Sequence, residues 1–200
     1  MKKFAVDIVI LPPDGVMDTA IALNKRHCNT NIVLDKDNCL PHVSLVMGCI
    51  TSEGLERAPL ILKTIGSQFK VMELTATAIR TVGTAAGDVI AIDIKPNREL
   101  QELHESVVNA FSPLLSGEAV EADLMGGADV NPLTLKWINS FIKQSSFDNF
   151  WPHITVGYLR TGANPETIES FSFNASRLAI GHLGNFCTCR EILIEASLTA

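Results

Sequence analysis

The sequence predicts an α+β fold: a two-lobed domain in which mostly antiparallel sheets line a central cleft and helices pack outside. Two observations lead there. Stretches of strand character alternate with stretches of helical spacing, in the order strand, helix, motif strand, helix, hairpin, helix, loop, helix, motif strand, helix, strands. One short phrase also occurs twice, as Pro41-His42-Val43-Ser44-Leu45 and as Pro152-His153-Ile154-Thr155-Val156, each time with a helical stretch behind it. Beyond that echo no repeat is visible, so residues 1–200 read as a single domain of two lobes. Hydrophobic residues make up 46% of the chain and charged residues 19%, which is enough apolar material for a real core and too much for disorder.

Phe4 to Leu11 is β-rich and closed by Pro12-Pro13. With Met1-Lys2-Lys3 in front it has the outline of a leader, but Asp7 interrupts the apolar run and no small-residue cleavage site follows, so it reads as the first strand. Asp14 is placed to cap a helix in which Val16, Met17, Ala20, Ile21 and Leu23 recur, ending near His27. Ile32 to Leu34 reads as a short strand, and Leu40 to Ile50 carries the first motif. Ser52 offers the next cap, to a helix that Pro59 should kink or restart. Phe69 to Val82 and Asp88 to Ile94 make a hairpin through a Gly- and Ala-rich turn.

Asn97 caps the clearest helix, with Leu100, Leu103, Val107, Phe111 and Leu114 on one stripe. Ser116 to Val130 holds Gly117, Gly126 and Gly127 with four acidic residues, no basic one and no periodicity. It reads as a long loop, an insertion over 116–131, either of the kind from which lids and substrate clamps are made or disordered without function. Asn131-Pro132 then signals the cap and first residue of a helix burying Leu133, Trp137, Ile138 and Phe141. After the second motif a short helix is expected from Asn164-Pro165, and two or more strands between Phe171 and Leu198 close the chain.

The formal net charge is −6 and no basic stripe is visible, so no extended nucleic-acid surface is expected. No apolar run reaches the length of a membrane span, and no membrane partner is expected. Five cysteines form an odd, scattered set without a CxxC pair, which fits a reduced cytoplasmic protein, and a monomer is expected.

On a strand, side chains alternate between faces, so His42 shares a face with Ser44 while Val43 and Leu45 take the other. His153 and Thr155 pair in the same way against Ile154 and Val156. Two such strands facing each other across a cleft gather two imidazoles and two hydroxyls, a kit for acid–base work on a phosphate. One His-x-hydroxyl strand alone is common by chance. Two copies, each preceded by proline and flanked by aliphatics, are not.

These paired His-x-[Ser/Thr]-x strands resemble the two-histidine phosphoesterase superfamily, and within it the RNA 2′,3′-cyclic phosphodiesterase and 2′-5′ RNA ligase-like branch. The elements between the motifs follow the order of that family, and the 116–131 loop accounts for a motif separation on the long side for it. The resemblance implies a metal-independent, cofactor-free phosphodiesterase acting on 2′,3′-cyclic or 2′-5′ bonds of a nucleotide or a short RNA end. His42 and His153 are then the catalytic acid–base pair, in an order the sequence leaves open, and Ser44 and Thr155 contact the phosphate. Members of the superfamily also handle cyclic ADP-ribose phosphates, 2′-5′ oligoadenylates and RNA tails. A non-catalytic nucleotide- or RNA-binding module of the same fold is the alternative.

Trp151 beside the second motif could stack on a base, although core packing is its default, as it is for Phe150. Arg80, Arg160 and Arg190 read as surface residues and His104 as structural. A zinc site built on Cys187 and Cys189 lacks the usual ligand spacing.

Overall fold

The computed structural model describes residues 2–115, 117–127 and 129–200. The strands are β1 (Lys3–Leu11), β2 (Val43–Thr51), β3 (Met72–Thr84), β4 (Gly87–Ile94), β5 (His153–Tyr158), β6 (Phe171–Ala175), β7 (Arg177–Leu183) and β8 (Cys189–Ser197). The helices are α1 (Asp14–His27), α2 (Ser52–Gln68), α3 (Arg98–Phe111) and α4 (Pro132–Ser145). All eight strands form one sheet in the order β6-β3-β4-β5-β2-β1-β7-β8, antiparallel throughout. The two lobes are therefore halves of a single sheet. Their seam is narrow, because β2 and β5 meet at one register pair, Val43 opposite Ile154.

Alternation along β1 shows how the faces divide. Val6, Ile8 and Ile10 join the main core, where α1 contributes Ala20 and Leu23, α2 contributes Leu62 and Ile65, and α3 contributes Leu103, Val107 and Phe111. Ala5 points the other way, into a smaller cluster with Met47, Cys49, Leu183 and Ile138 of α4. Helices α1 to α3 thus cover the outer face, and α4 stands at the rim of the cleft. Asn97 accepts a hydrogen bond from the Leu100 N–H, as its place before α3 predicts.

Local chemistry explains several departures from the sequence reading. Asp14 is the first residue of α1 rather than its cap, and its carboxylate sits at the positive end of the helix. Thr51, not Ser52, caps α2 by accepting from the Gly54 N–H at 3.1 Å. The helix continues through Pro59, whose exposed position leaves the carbonyl without an N–H partner free to turn to water. Ile32 and Leu34 are buried and Val33 is exposed, as in a strand, but no strand forms. The Asn24 side chain takes the place of a neighbouring strand, donating to the Ile32 carbonyl and accepting from the Leu34 N–H.

No helix follows Pro165. Glu166 is instead drawn to Arg26 of α1, and the Ser170 hydroxyl donates to the Ala76 carbonyl. Of the loop read as an insertion over 116–131, Ser116 and Ala128 lie outside the described residues. Its described part is pinned down: Ala119, Leu124 and Val130 are buried, and buried Asp123 pairs with Lys3 at 3.3 Å. The Ala119 backbone is held in both directions by the Asn139 side chain.

Candidate active site

The two motif strands lie side by side in the sheet, where a pair facing each other across a gap was expected. Continuing the Val43–Ile154 register sets His42 opposite Thr155 and Ser44 opposite His153. All four side chains line one cavity of about 310 Å³. The pattern of the sequence thus becomes a four-cornered cluster on a single surface.

Each motif strand also carries a β-bulge one residue after its hydroxyl. Ser44 pairs with Val9 and Val46 with Ile8, which leaves Leu45 as the extra residue. Thr155 pairs with Ala91 and Gly157 with Ile90, which leaves Val156. A bulge frees a carbonyl from the ladder, and here both are satisfied from the helical layer. His104 Nδ1–H of α3 donates to the Leu45 carbonyl at 2.9 Å, and Asn24 Nδ2–H of α1 donates to the Val156 carbonyl at 2.8 Å. Gly157 has φ 149°, and a Cβ there would lie 2.8 Å from Asn24 Nδ2, so glycine is what admits the cap. His104 also accepts from the Phe147 N–H at 2.9 Å and stacks on Phe150, which confirms its structural character.

The two histidines are held alike. His42 Nδ1–H donates to the Leu40 carbonyl at 2.7 Å and His153 Nδ1–H to the Trp151 carbonyl at 2.8 Å. In each neutral ring Nε2 is then left with its lone pair. The loop leading to His42 is itself fixed by Asp35, whose carboxylate accepts from the N–H groups of Asp37, Asn38 and Cys39. Burial opposes that charge, but these hydrogen bonds hold the carboxyl below the usual range.

Their other neighbours differ. Asp7 of β1 is fully buried; its Oδ2 accepts from Ser44 Oγ–H at 2.6 Å and lies 3.5 Å from His42 Nε2. Burial pushes the Asp7 carboxyl up, against the opposing pull of His42 and Ser44. Burial also works against a charge on His42, but the hydrogen bond and attraction to Asp7 outweigh it and raise His42 above the ordinary histidine value. His153 stacks on Trp151, ring centroids 4.0 Å apart. The Trp151 Nε1–H donates to Asp93 at 3.0 Å, and Asp93 is paired with Arg80 at 2.8 Å. Burial lowers His153, and a charge on His42 lowers it further.

A second, mostly apolar cavity of about 270 Å³ overlaps the first, sharing His153, Thr155 and Trp151 among others, and is walled by Trp137, Phe141, Tyr158 and Phe186, with Ser140 and Gln144 at its polar edge. Among the described residues lining either cavity there is no lysine or arginine. Arg160 instead donates to carbonyls at the end of α1, and Arg190 is exposed on β8. All five cysteines are free. Burial pushes the cavity thiols of Cys39 and Cys189 up to about 12, so they stay protonated and are poor nucleophiles near neutral pH.

Sequence reasoning named the four cavity residues but missed Asp7, Asn24 and the Trp151–Asp93–Arg80 chain. Asp7 did leave a signal, as a carboxylate in the middle of an otherwise apolar strand.

Comparison with known proteins places this geometry. No curated protein sequence matches the chain. Among solved structures, TT0787 of Thermus thermophilus superposes with a TM-score of 0.64 at 12% identity, covering 97% of both chains. E. coli LigT complexed with ATP superposes with a TM-score of 0.57 at 15% identity, over 100% of both chains. E. coli LigT complexed with 3'-AMP gives 0.52 at 16% identity, over 98% of this chain and 99% of that one. At such identities these similarities establish the shared fold. The sequence profile of the 2'-5' RNA ligase superfamily matches residues 36–183, a span that takes in both histidine motifs. The chain therefore belongs to the 2'-5' RNA ligase superfamily, and its function is of the phosphoesterase type.

Proposed function

We propose that the chain is a metal-independent phosphodiesterase that hydrolyses 2′,3′-cyclic or 2′-5′ phosphodiester bonds of nucleotides or short RNA ends. His42 and His153 are the acid–base pair, and Ser44 and Thr155 contact the phosphate. The observation that carries this reading is the cluster itself: two imidazoles fixed through Nδ1 and two hydroxyls lining one cavity.

Hydrolysis of a cyclic diester needs three things. A base takes a proton from water as its oxygen bonds to phosphorus, an acid protonates the ribose oxygen as its bond to phosphorus breaks, and donors meet the charge on the non-bridging oxygens. Imidazole serves either proton role near neutrality, with an unperturbed pKa of about 6.5. Two charged imidazoles in one cavity repel, so one is neutral while the other is charged, which is the required starting state. Hydroxyls aimed at the phosphate stabilise the transition state where charge develops.

The absence of lysine and arginine from the described cavity lining favours a singly charged diester over a polyphosphate or a long RNA. The apolar cavity beside His153 suits a nucleobase, with aromatic walls able to stack on it. The 3'-AMP and ATP complexes of LigT, a protein of the same fold, are consistent with a small nucleotide ligand.

The test is hydrolysis of 2′,3′-cyclic mononucleotides with excess chelator, followed by phosphorus NMR, for wild type, His42→Ala and His153→Ala. Chelator-resistant ring opening lost in both variants supports the proposal, and the spectrum shows which monoester forms. Binding without hydrolysis by the wild type points to the non-catalytic module. No effect on these substrates moves the search to 2′-5′ oligonucleotides.

A further inference from the structure

His42 and His153 share a motif, a carbonyl anchor and a bulged strand, but only one of them lies against a carboxylate. Asp7 has no exposed surface, and its Oδ1 has no hydrogen-bond partner. Its Oδ2 reaches Ser44 at 2.6 Å and comes within 3.5 Å of His42 Nε2. A buried carboxylate with half its lone pairs unmet is costly to keep unless a cation sits beside it. The cation within reach is the imidazolium of His42.

The corresponding place beside His153 is occupied differently. Asp93 lies opposite His153 across the β4–β5 ladder, but its carboxylate is engaged by Trp151 Nε1–H at 3.0 Å and by Arg80 at 2.8 Å. Its charge is already matched. The flat face of Trp151 packs on the His153 ring, which suits a neutral imidazole as well as a charged one.

Resting on the phosphodiesterase reading above, we infer that Asp7 is a positioning residue that keeps His42 the charged member of the pair, making His42 the general acid and His153 the general base in hydrolysis. His153 Nε2 takes a proton from the attacking water as the new oxygen–phosphorus bond forms. The phosphorus–ribose oxygen bond breaks, and that oxygen receives the proton of His42 Nε2–H. One proton enters His153 as one leaves His42, so the site returns to its starting state by exchange with solvent. Because attack and departure are in line, water approaches from the His153 side and the leaving ribose oxygen lies toward His42.

The remaining charged and titratable groups around the pair are consistent with this order. Toward Asp7, β8 and the turn before it present Cys189 and Cys187, whose buried thiols are pushed up and stay neutral. Toward His153, Arg80 from β3 and Asp93 from β4 oppose each other. The opposite displacements of His42 and His153 from the ordinary histidine value agree with the geometry.

The test follows all five histidines by side-chain proton–nitrogen NMR of the intact protein across a pH titration, with no substrate present. In the wild type His42 is expected to titrate above His153. In Asp7→Asn the His42 midpoint is expected to fall by about one pH unit, a tenfold change in its protonation equilibrium, while that of His153 moves far less. His104, bonded to Leu45 and Phe147, is the control and is expected to stay put. A wild-type His153 that titrates above His42 overturns the inference, even if Asp7→Asn does not fold. So does a His42 midpoint unmoved in that variant, or one that moves only together with His104. Failure of the phosphodiesterase reading is a separate result, seen as absent turnover in the wild type.

Discussion

β2 and β5 carry the same phrase, and the structure repeats more than the phrase. Each histidine donates Nδ1–H to the carbonyl two residues back, each hydroxyl is followed by a bulge, and each bulged carbonyl is capped from a helix. What is not repeated is the second ring of contacts. On the β2 side Asp7 lies beneath the cluster and binds Ser44, whereas on the β5 side Trp151, Asp93 and Arg80 form a chain behind His153. A symmetric frame thus supplies two equivalent proton carriers, and asymmetric packing makes them unlike. One carrier must start charged and the other neutral for a general acid and a general base to act together.

The largest expected effect tests the symmetric part. His42→Ala and His153→Ala should each lower turnover of a cyclic diester by about 10²–10⁴-fold, the usual range for losing a general acid or base. Steady-state assays of folded variants check this; a variant with near wild-type activity removes its histidine from the mechanism. The hydroxyls come next, and they should differ. Thr155→Val should cost about 10²-fold in kcat, as loss of an oxyanion donor does. Ser44→Ala should cost less, because Ser44 must give up its hydrogen bond to Asp7 before it can donate to the phosphate. Equal losses would mean that giving up that bond costs nothing.

The capping residues should affect stability. Asn24→Ala strands the Val156 and Ile32 carbonyls and the Leu34 N–H, and His104→Ala strands the Leu45 carbonyl and the Phe147 N–H. Each is expected to destabilise by about 1–3 kcal/mol in urea unfolding, Asn24→Ala the more. His104 adds a pH signature. Burial lowers its pKa in the folded state, so its contribution is complete above the ordinary value and declines as pH falls from there through the lowered one. His104→Gln should flatten stability over that window.

The smallest expected effect is the sharpest on asymmetry. With His42 raised and His153 lowered, the rate should be highest between their two midpoints, limited on the acid side by protonation of His153 and on the alkaline side by deprotonation of His42. Asp7→Asn should draw the alkaline limb of kcat/KM to lower pH by about one unit and move the acid limb far less. If the acid limb moves instead, the roles of the two histidines are the reverse.

The sequence made the frame legible because the frame rests on local rules. Alternation put His42 with Ser44 and His153 with Thr155, and helical spacing found the stripe of α3 with its Asn97 cap. What stayed hidden depends on contacts between distant residues. A bulge is visible only against its partner strand, and Asn24 looked like any polar residue on a helix. Asp7 was noticed only as a break in an apolar run, since nothing nearby in sequence shows that Ser44 and His42 will lie beside it. Asn164-Pro165 gave a helix start signal with no apolar face behind it to make a helix worthwhile, and none formed. The 116–131 loop offers glycines and acids, but its described residues are fastened by Asp123 and Asn139, contacts that no periodicity announces.

The Leu45 bulge has a consequence for how the gene can vary. In a regular strand, inserting or removing a residue turns every later side chain to the opposite face. At a bulge the arithmetic is reversed. Leu45 and Val46 both join the main core while Ser44 and Met47 both line the cavity, so removing Leu45 would leave Ser44, Met47 and Cys49 on the faces they already occupy. The shortened strand could pair evenly with β1, whereas the twist set by the extra residue, and the carbonyl that His104 holds, would be gone. A deletion usually regarded as fatal in a β-sheet would here spare the inside–outside pattern and reach the aim of the cluster alone, separating the information that folds this strand from the information that points it.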